Sequence, residues 1–140
     1  MHFEVLDERE DSDSIRLKLY HESGEEIGYI DIAEIINGYW WFETEEVSEE
    51  QYDSMVPDDK FLLIQMVDVY PKFRRKGYAN IMMGTLPQYL KQYFPKYDVF
   101  VLNASPIQSL PLEILIEFYK KFGYEELTKS DVNCTMIKNN

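Results

Sequence analysis

A long, mostly apolar run, KFLLIQMVDVY at residues 60–70, stops at Pro71, and a helical spacing of apolar residues begins soon after it. This pair of features limits the fold more than any other. A run of that length with little polar alternation reads as a central strand covered on both faces. Ala79, Met82, Met83, Leu86, Leu90, Tyr93 and Phe94 then follow the three-and-four spacing of one buried helix face, over about Lys76 to Phe94. Pro87 removes the bond to the Met83 carbonyl, so a kink or an early break is expected there. YDVFVLNA (97–104) reads as another strand and LEILIEFYKKF (112–122) as an amphipathic helix with Leu115, Phe118, Tyr119 and Phe122 on one side. Ser109 is a plausible N-cap for that helix and Gly123 a left-handed stop. YEEL and NCTMIK close the sheet. The order strand–helix–strand–helix–strand calls for crossover connections in an α/β or α+β sheet.

The first part of the chain reads as an antiparallel meander. HFEVLDE is a strand, SDS at 12–14 a turn, and IRLKLYHE alternates Ile15, Leu17 and Leu19 against Arg16, Lys18 and Tyr20. SGEE is a hairpin turn and IGYIDIAEI the next strand. GYWWFE (38–43) could extend a strand, and VSEEQYDSM a short helix with Ser48 as N-cap and Gln51 three residues on. VPDD then breaks it. With 140 residues, 45% of them hydrophobic, the chain suits one domain with its own core, residues 1–140. Within it, 1–59 is an acidic segment and 60–140 the remainder.

Charge divides the chain more sharply than composition does. Residues 1–59 hold 19 Asp or Glu against Arg9, Arg16 and Lys18, a balance of −16; residues 60–140 hold 7 acids against 11 bases, a balance of +4. The overall −12 argues against general nucleic-acid binding, because phosphates are repelled. The acidic half suits a cationic partner. No apolar stretch approaches the roughly 20 residues that cross a bilayer, and the start carries no signal-peptide pattern, so no membrane partner is expected. A single cysteine, Cys134, excludes an internal disulfide and sets a reducing, cytoplasmic location as the expectation. Two histidines and one cysteine make no metal-ligand pattern, so no metal is expected.

VDVYPKFRRKGYAN (67–80) joins the end of the central strand to the start of a helix. Unpaired N–H groups and the helix dipole favour an anion there. Gly77 allows close backbone approach, Ala79 keeps the next turn small, and Arg74, Arg75 and Lys76 add full charges. The pattern Arg74-x-x-Gly77-x-Ala79 resembles the acyl-CoA-binding motif of the GNAT superfamily of N-acyltransferases. EFYKKFGYEEL resembles that family's later helix and turn, with Tyr119 followed by Gly123 and Tyr124. The likeness covers about residues 60–138. It implies a mixed, mostly antiparallel twisted sheet with a splayed central strand pair and helices on its faces.

The resemblance also implies roles. Backbone amides of Arg75, Lys76, Gly77, Tyr78 and Ala79 would hold the pyrophosphate of acetyl-CoA, with Arg74 in the same motif. Val67 and Val69 would offer main-chain groups to the pantetheine arm, and Tyr119 would protonate the departing thiolate. A phenol of pKa about 10 is close enough to a thiol of about 8.5 for such a transfer. Asp68, Glu43, Glu45 and Glu46 are candidates for the base. The family's acceptor is an amine, here a small cationic amine or a lysine side chain, and its members are often dimers, so a monomer or homodimer is expected. Two departures stand out. Only residues 8–14 separate the first two strands, too few for the family's two helices there, so residues 37–59, with Tyr39, Trp40, Trp41 and Phe42, must supply the acceptor wall. At least two of those aromatics are expected to fill the core. The family's usual asparagine before the tyrosine is Leu112 here, and Asn103, though nearby, is not its equivalent. The function implied is acetyl transfer from acetyl-CoA to a primary amine by direct attack. The alternative is a non-catalytic acidic module on the same fold that binds a basic protein surface.

Overall fold

The structure, a computed structural model, describes residues 2–6, 14–43, 46–105 and 110–139. Its elements are β1 His2–Leu6, β2 Ser14–Tyr20, β3 Glu26–Ile36, α1 Tyr39–Glu43, α2 Glu49–Met55, β4 Lys60–Val69, a 3-10 turn Pro71–Phe73, α3 Tyr78–Tyr93, β5 Val99–Ala104, α4 Leu112–Lys120, β6 Glu125–Lys129 and β7 Cys134–Asn139. They form two compact units, Met1–Ala33 with Ile64–Lys96, and Glu34–Leu63 with Tyr97–Asn140.

In the first unit the strand order is β1-β2-β3-β4. β1 pairs antiparallel with β2 directly, Phe3 opposite Leu19, and β2 pairs antiparallel with β3, Leu17 opposite Ile30. β1 and β2 are thus antiparallel neighbours; of the expected SDS turn, residues 12 and 13 lie outside the described residues. At the next turn, Gly24 takes φ +91°, and the His21 N–H donates to the Glu25 carbonyl at 2.8 Å. Leu17, Leu19, Ile27, Ile30 and Ile32 are buried, as are Met82, Met83, Leu86 and Leu90 of α3. Tyr93 does not share their fate: it is 45% exposed and stacks on Tyr89, while Phe94, one residue on, is buried. α3 runs through Pro87 without a break. Pro87 itself is exposed, while Met83, whose carbonyl loses its usual helical donor, is buried.

In the second unit the order is β4-β5-β7-β6. β5 pairs antiparallel with β7, Val101 opposite Ile137, and β7 antiparallel with β6, so β5 and β6 run parallel. α4 is the crossover that this requires. Its most buried residues are Leu112 and Ile116, while Leu115, Phe118, Tyr119 and Phe122 are half-buried, so the buried stripe is rotated from the one the spacing suggested. Its N-cap is Pro111, not Ser109, which lies outside the described residues. Gly123 ends the turn after α4 at φ +94°, as expected.

GYWWFE is not a strand extension: Tyr39–Glu43 is helical. Gly38 explains the change of direction, because a Cβ there would lie 2.5 Å from the Phe61 ring. The chain turns where only glycine fits, and the aromatic run closes over Phe61. Phe42, fully buried, meets Phe61 at 5.3 Å and Tyr52 at 5.4 Å between ring centroids. α2 has the expected cap, with the Gln51 N–H donating to Ser48 Oγ at 3.1 Å. Tyr52 donates to Asp59 Oδ1 at 2.7 Å, and burial pushes its phenol pKa up. β4 is fully covered only over Phe61–Ile64; Gln65 and Met66 are exposed and Val67–Val69 half-buried. The expectation of cover on both faces holds for the start of the strand alone.

Phe42→Ala should cost about 3–5 kcal/mol in urea unfolding, the range for emptying a buried aromatic site. Trp40→Ala, at a side chain 59% exposed, should stay within about 0.5 kcal/mol.

Candidate functional site

The segment from Val67 to Ala79 lies in the first unit, and its shape is set by a few contacts. At Gly28 of β3 a Cβ would collide with the Asp68 carbonyl oxygen and sit 3.0 Å from the Val69 Cα. The missing side chain lets β4 press against β3. The Tyr70 N–H then donates to the Ile27 carbonyl at 2.9 Å, and Pro71 ends the strand. Tyr70 also packs against Tyr29 at 6.0 Å, and burial with the Glu26 carboxylate beside it pushes its pKa up to about 12.

Beyond Pro71 the loop is pinned from inside. Phe73 is buried and meets Tyr78 edge-on at 5.8 Å, which ties the 3-10 turn to the first residue of α3. Arg74 turns back toward the strand: Nε donates to the Val69 carbonyl at 2.7 Å, and Nη2 lies 3.4 Å from Asp68 Oδ1. Arg75 takes φ +63° and Gly77 φ +83°. A non-glycine residue held left-handed costs roughly 1 kcal/mol or more, so the contacts around Arg75 fix a backbone that it would not choose alone. Gly77 is the N-cap of α3. The N–H groups of Gly77, Tyr78 and Ala79 make no backbone hydrogen bond among the described residues. No heavy atom lies within 4 Å of the place a Gly77 Cβ would take. Arg75, Lys76 and Gly77 are exposed. Free donors, a helix N-terminus, open space and two exposed cations make a cradle for an anion the size of a phosphate.

The structure thus brings Val67, Asp68, Val69, Arg74, Arg75, Lys76, Gly77, Tyr78 and Ala79 into one segment of the first unit. Tyr119, Asn103 and Glu43 belong to the second. Tyr119 lies on α4, half-buried, with its ring 5.2 Å from Phe118 and 6.3 Å from Tyr124. Its hydroxyl makes no hydrogen bond to a described residue, and burial pushes its pKa up to about 12. Asn103 is exposed on β5, opposite Thr135. Glu43 is exposed at the end of α1, and Glu46 is exposed just beyond it. Glu45 lies outside the described residues. The sequence alone did not reveal the role of Gly28 or the inward turn of Arg74. A glycine inside a strand pattern was the available signal for the first, since it often marks a close backbone approach.

Among the described residues, no group of three or more His, Cys, Asp or Glu side chains is placed to hold a metal ion. No described helix is long and apolar enough to cross a membrane.

No protein-family model matches the sequence, and no curated protein matches it. Solved structures do match. PaiA N-acetyltransferase from Thermoplasma acidophilum, in complex with coenzyme A, superposes with a TM-score of 0.60 at 14% identity, over 91% of this chain and 62% of that one. A variant of the spermidine N-acetyltransferase SpeG from Vibrio cholerae gives 0.60 at 11%, over 93% and 66%. Nourseothricin acetyltransferase gives 0.54 at 16%, over 92% and 66%. The chain spans less than two thirds of the length of each of these enzymes. Such likeness concerns the fold, and the fold of this chain is the mixed, mostly antiparallel α/β architecture of the GNAT N-acetyltransferases.

Proposed function

We propose that the protein is an acetyl-CoA-dependent N-acetyltransferase acting on a cationic primary amine. The observation that carries the reading is the segment from Arg74 to Ala79, where free N–H groups, left-handed Gly77 and open space meet Arg75 and Lys76. A pyrophosphate fits that set of donors. The CoA complex of PaiA, on the same fold, supports the choice of ligand. Val67 and Val69, half-buried at the end of β4, would offer main-chain groups to the pantetheine arm.

The chemistry requires little covalent help from the chain. The amine nitrogen attacks the thioester carbonyl carbon, a C–N bond forms, the C–S bond breaks, and sulfur leaves as a thiolate that takes a proton. Tyr119 is the proposed donor. Its raised pKa keeps the phenol protonated throughout the neutral range. With about 12 against about 8.5 for a thiol, full transfer from it is clearly uphill. Tyr119 therefore acts as a hydrogen-bond donor to the developing thiolate, and the proton set free from the amine completes the exchange. Before attack the substrate ammonium gives one proton to Glu43 or Glu45, directly or through water, and the second proton, shed by the nitrogen after attack, is the one that neutralises the thiolate. Asp68 serves less well, because Arg74 already holds its carboxylate.

Residues 19–59 contain no Lys or Arg, which favours a cationic acceptor. Glu34, Glu43, Glu46, Glu49 and Glu50 make no ion pair with a described residue. Trp40 and Ile36 are 59% and 63% exposed in the same unit, so an apolar contact is available beside unpaired carboxylates. A polyamine or a lysine-bearing peptide fits this chemistry. The same −16 balance favours the second reading, a non-catalytic acidic module for a basic protein surface. Binding of basic peptides without thiol release from acetyl-CoA would select that reading.

Acetyl-CoA at a hundredfold excess over its Kd should stabilise the protein by about 2.7 kcal/mol, read as a rise in Tm; an unchanged Tm rejects the assignment. Arg75→Ala with Lys76→Ala should weaken acetyl-CoA binding about tenfold and flatten its salt dependence, because both side chains are exposed and screened charges act through solvent. Tyr119→Phe should lower kcat with little change in KM for acetyl-CoA. It also has a stability signature. Between the unfolded pKa near 10 and the folded value of about 12, the unfolded chain loses a proton that the folded chain keeps, so wild-type stability falls as pH rises through that window. Tyr119→Phe removes that fall, so the variant should lose less stability than wild type between pH 9 and pH 12 in urea unfolding.

A further inference from the structure

We infer that Arg74 and Asp68 form a clip that sets the shape of the anion loop, and that neither acts on the reacting groups. The inference rests on the acyl-CoA reading of that loop and assigns these two residues a different task within it. Arg74 opens the glycine motif, yet its guanidinium points back to the strand the loop has just left. Nε donates to the Val69 carbonyl at 2.7 Å and Nη2 reaches Asp68 Oδ1 at 3.4 Å. The Asp68 carboxylate and the guanidinium are both partly shielded, at 26% and 29% side-chain exposure, so solvent screens their attraction only in part.

The geometry closes a short circuit. β4 is pressed against β3 at Gly28, where the Asp68 carbonyl occupies the space of a missing Cβ. The Tyr70 N–H is held by the Ile27 carbonyl, which fixes the strand end. Arg74 then ties the far side of the Pro71–Phe73 turn to Asp68 and Val69 of that same strand end. Immediately after the clip the backbone enters the left-handed region at Arg75 and again at Gly77. With Arg74 anchored, the N–H groups beyond it are aimed before any ligand arrives, and less ordering remains for the ligand to impose. Asp68 is thus a positioning residue acting through Arg74, and the charges left for the ligand are those of Arg75 and Lys76.

Asp68→Asn separates this role from its rivals by the sign of the effect. The substitution removes a negative charge close to an anion site. A carboxylate that merely stood nearby would repel the ligand, and its loss would tighten binding. A general base would lose kcat at unchanged Kd. The clip predicts weaker acetyl-CoA binding, roughly three- to tenfold by calorimetry, with kcat changed less than Kd. Arg74→Gln should weaken binding to a similar extent, and the double variant Asp68→Asn with Arg74→Gln should be no worse than Arg74→Gln alone, since one interaction is lost once. Additive losses, an unchanged or tighter Kd for Asp68→Asn, or a fall confined to kcat each overturn the inference. Amide hydrogen exchange without ligand gives an independent readout. Asp68→Asn should speed exchange at Lys76 and Gly77 while Met82–Leu90 of α3 keeps its protection. Unchanged exchange at the loop rejects the clip even if wild-type protein fails to bind acetyl-CoA, and that failure by itself rejects only the acyl-CoA reading.

Discussion

The close approach of β3 and β4 at Gly28 governs the path of the chain from Asp68 to the start of α3. A side chain at that glycine would meet the Asp68 carbonyl and the Val69 Cα, so the two strands could not pack as they do. Because they do, the Ile27 carbonyl can accept from the Tyr70 N–H, and the strand ends at a fixed point before Pro71. Every later feature of the loop is referred to that point: the buried Phe73, the inward Arg74, the left-handed Arg75 and Gly77. A single absent methyl group thus stands upstream of the donors at the start of α3.

Much of this was legible in the sequence, and the reasons are physical. Strands and helices with a strong period were placed to within a few residues: β2, β3, β4 and α3 each carry several apolar residues at one spacing. Capping by Ser48 was legible because the side chain and the N–H it satisfies are three residues apart. The errors have a common source. GYWWFE has the aromatic content of a strand, and only its contacts with Phe61 and Tyr52, distant in sequence, make it a helix over a ring cluster. Tyr93 fits the helical period as well as Phe94 does, but the helix ends there and one side chain must face water. The rotated stripe of α4 likewise depends on the strands it crosses, and a nine-residue helix offers too few turns for the period to decide.

Tyr119 marks the boundary between what a motif implies and what its surroundings permit. The resemblance implies a phenol at Tyr119 that would give a proton to a departing thiolate. A reference pKa near 10 makes that exchange nearly balanced, whereas the dense packing on α4 raises it to about 12 and makes the phenol a poor acid. The same packing removes competing partners, because the hydroxyl bonds to no described residue. An O–H with no competing partner and a raised pKa is a weak acid, yet it remains able to donate a hydrogen bond. In the proposed reaction, stabilising a developing thiolate calls on hydrogen-bond donation and not on acidity.

A similar distinction applies to charge. Between Pro71 and Gly77 the sequence offers four cations, Lys72, Arg74, Arg75 and Lys76. Lys72 is paired with Glu25 at 2.6 Å and holds that carboxyl below its usual range, and Arg74 is paired with Asp68. Two of the four are therefore committed to holding the turn. Arg75 and Lys76 remain exposed, with no carboxylate partner among the described residues. Two exposed positive charges beside a row of N–H donors match the two negative charges of a pyrophosphate diester more closely than four would. A loop with all four cations unpaired would repel itself and lose the backbone shape on which its donors depend. Pairing half of them inward keeps the local field positive while letting the turn exist, and it does so with one acid from β4 and one from the β2–β3 hairpin of the acidic half.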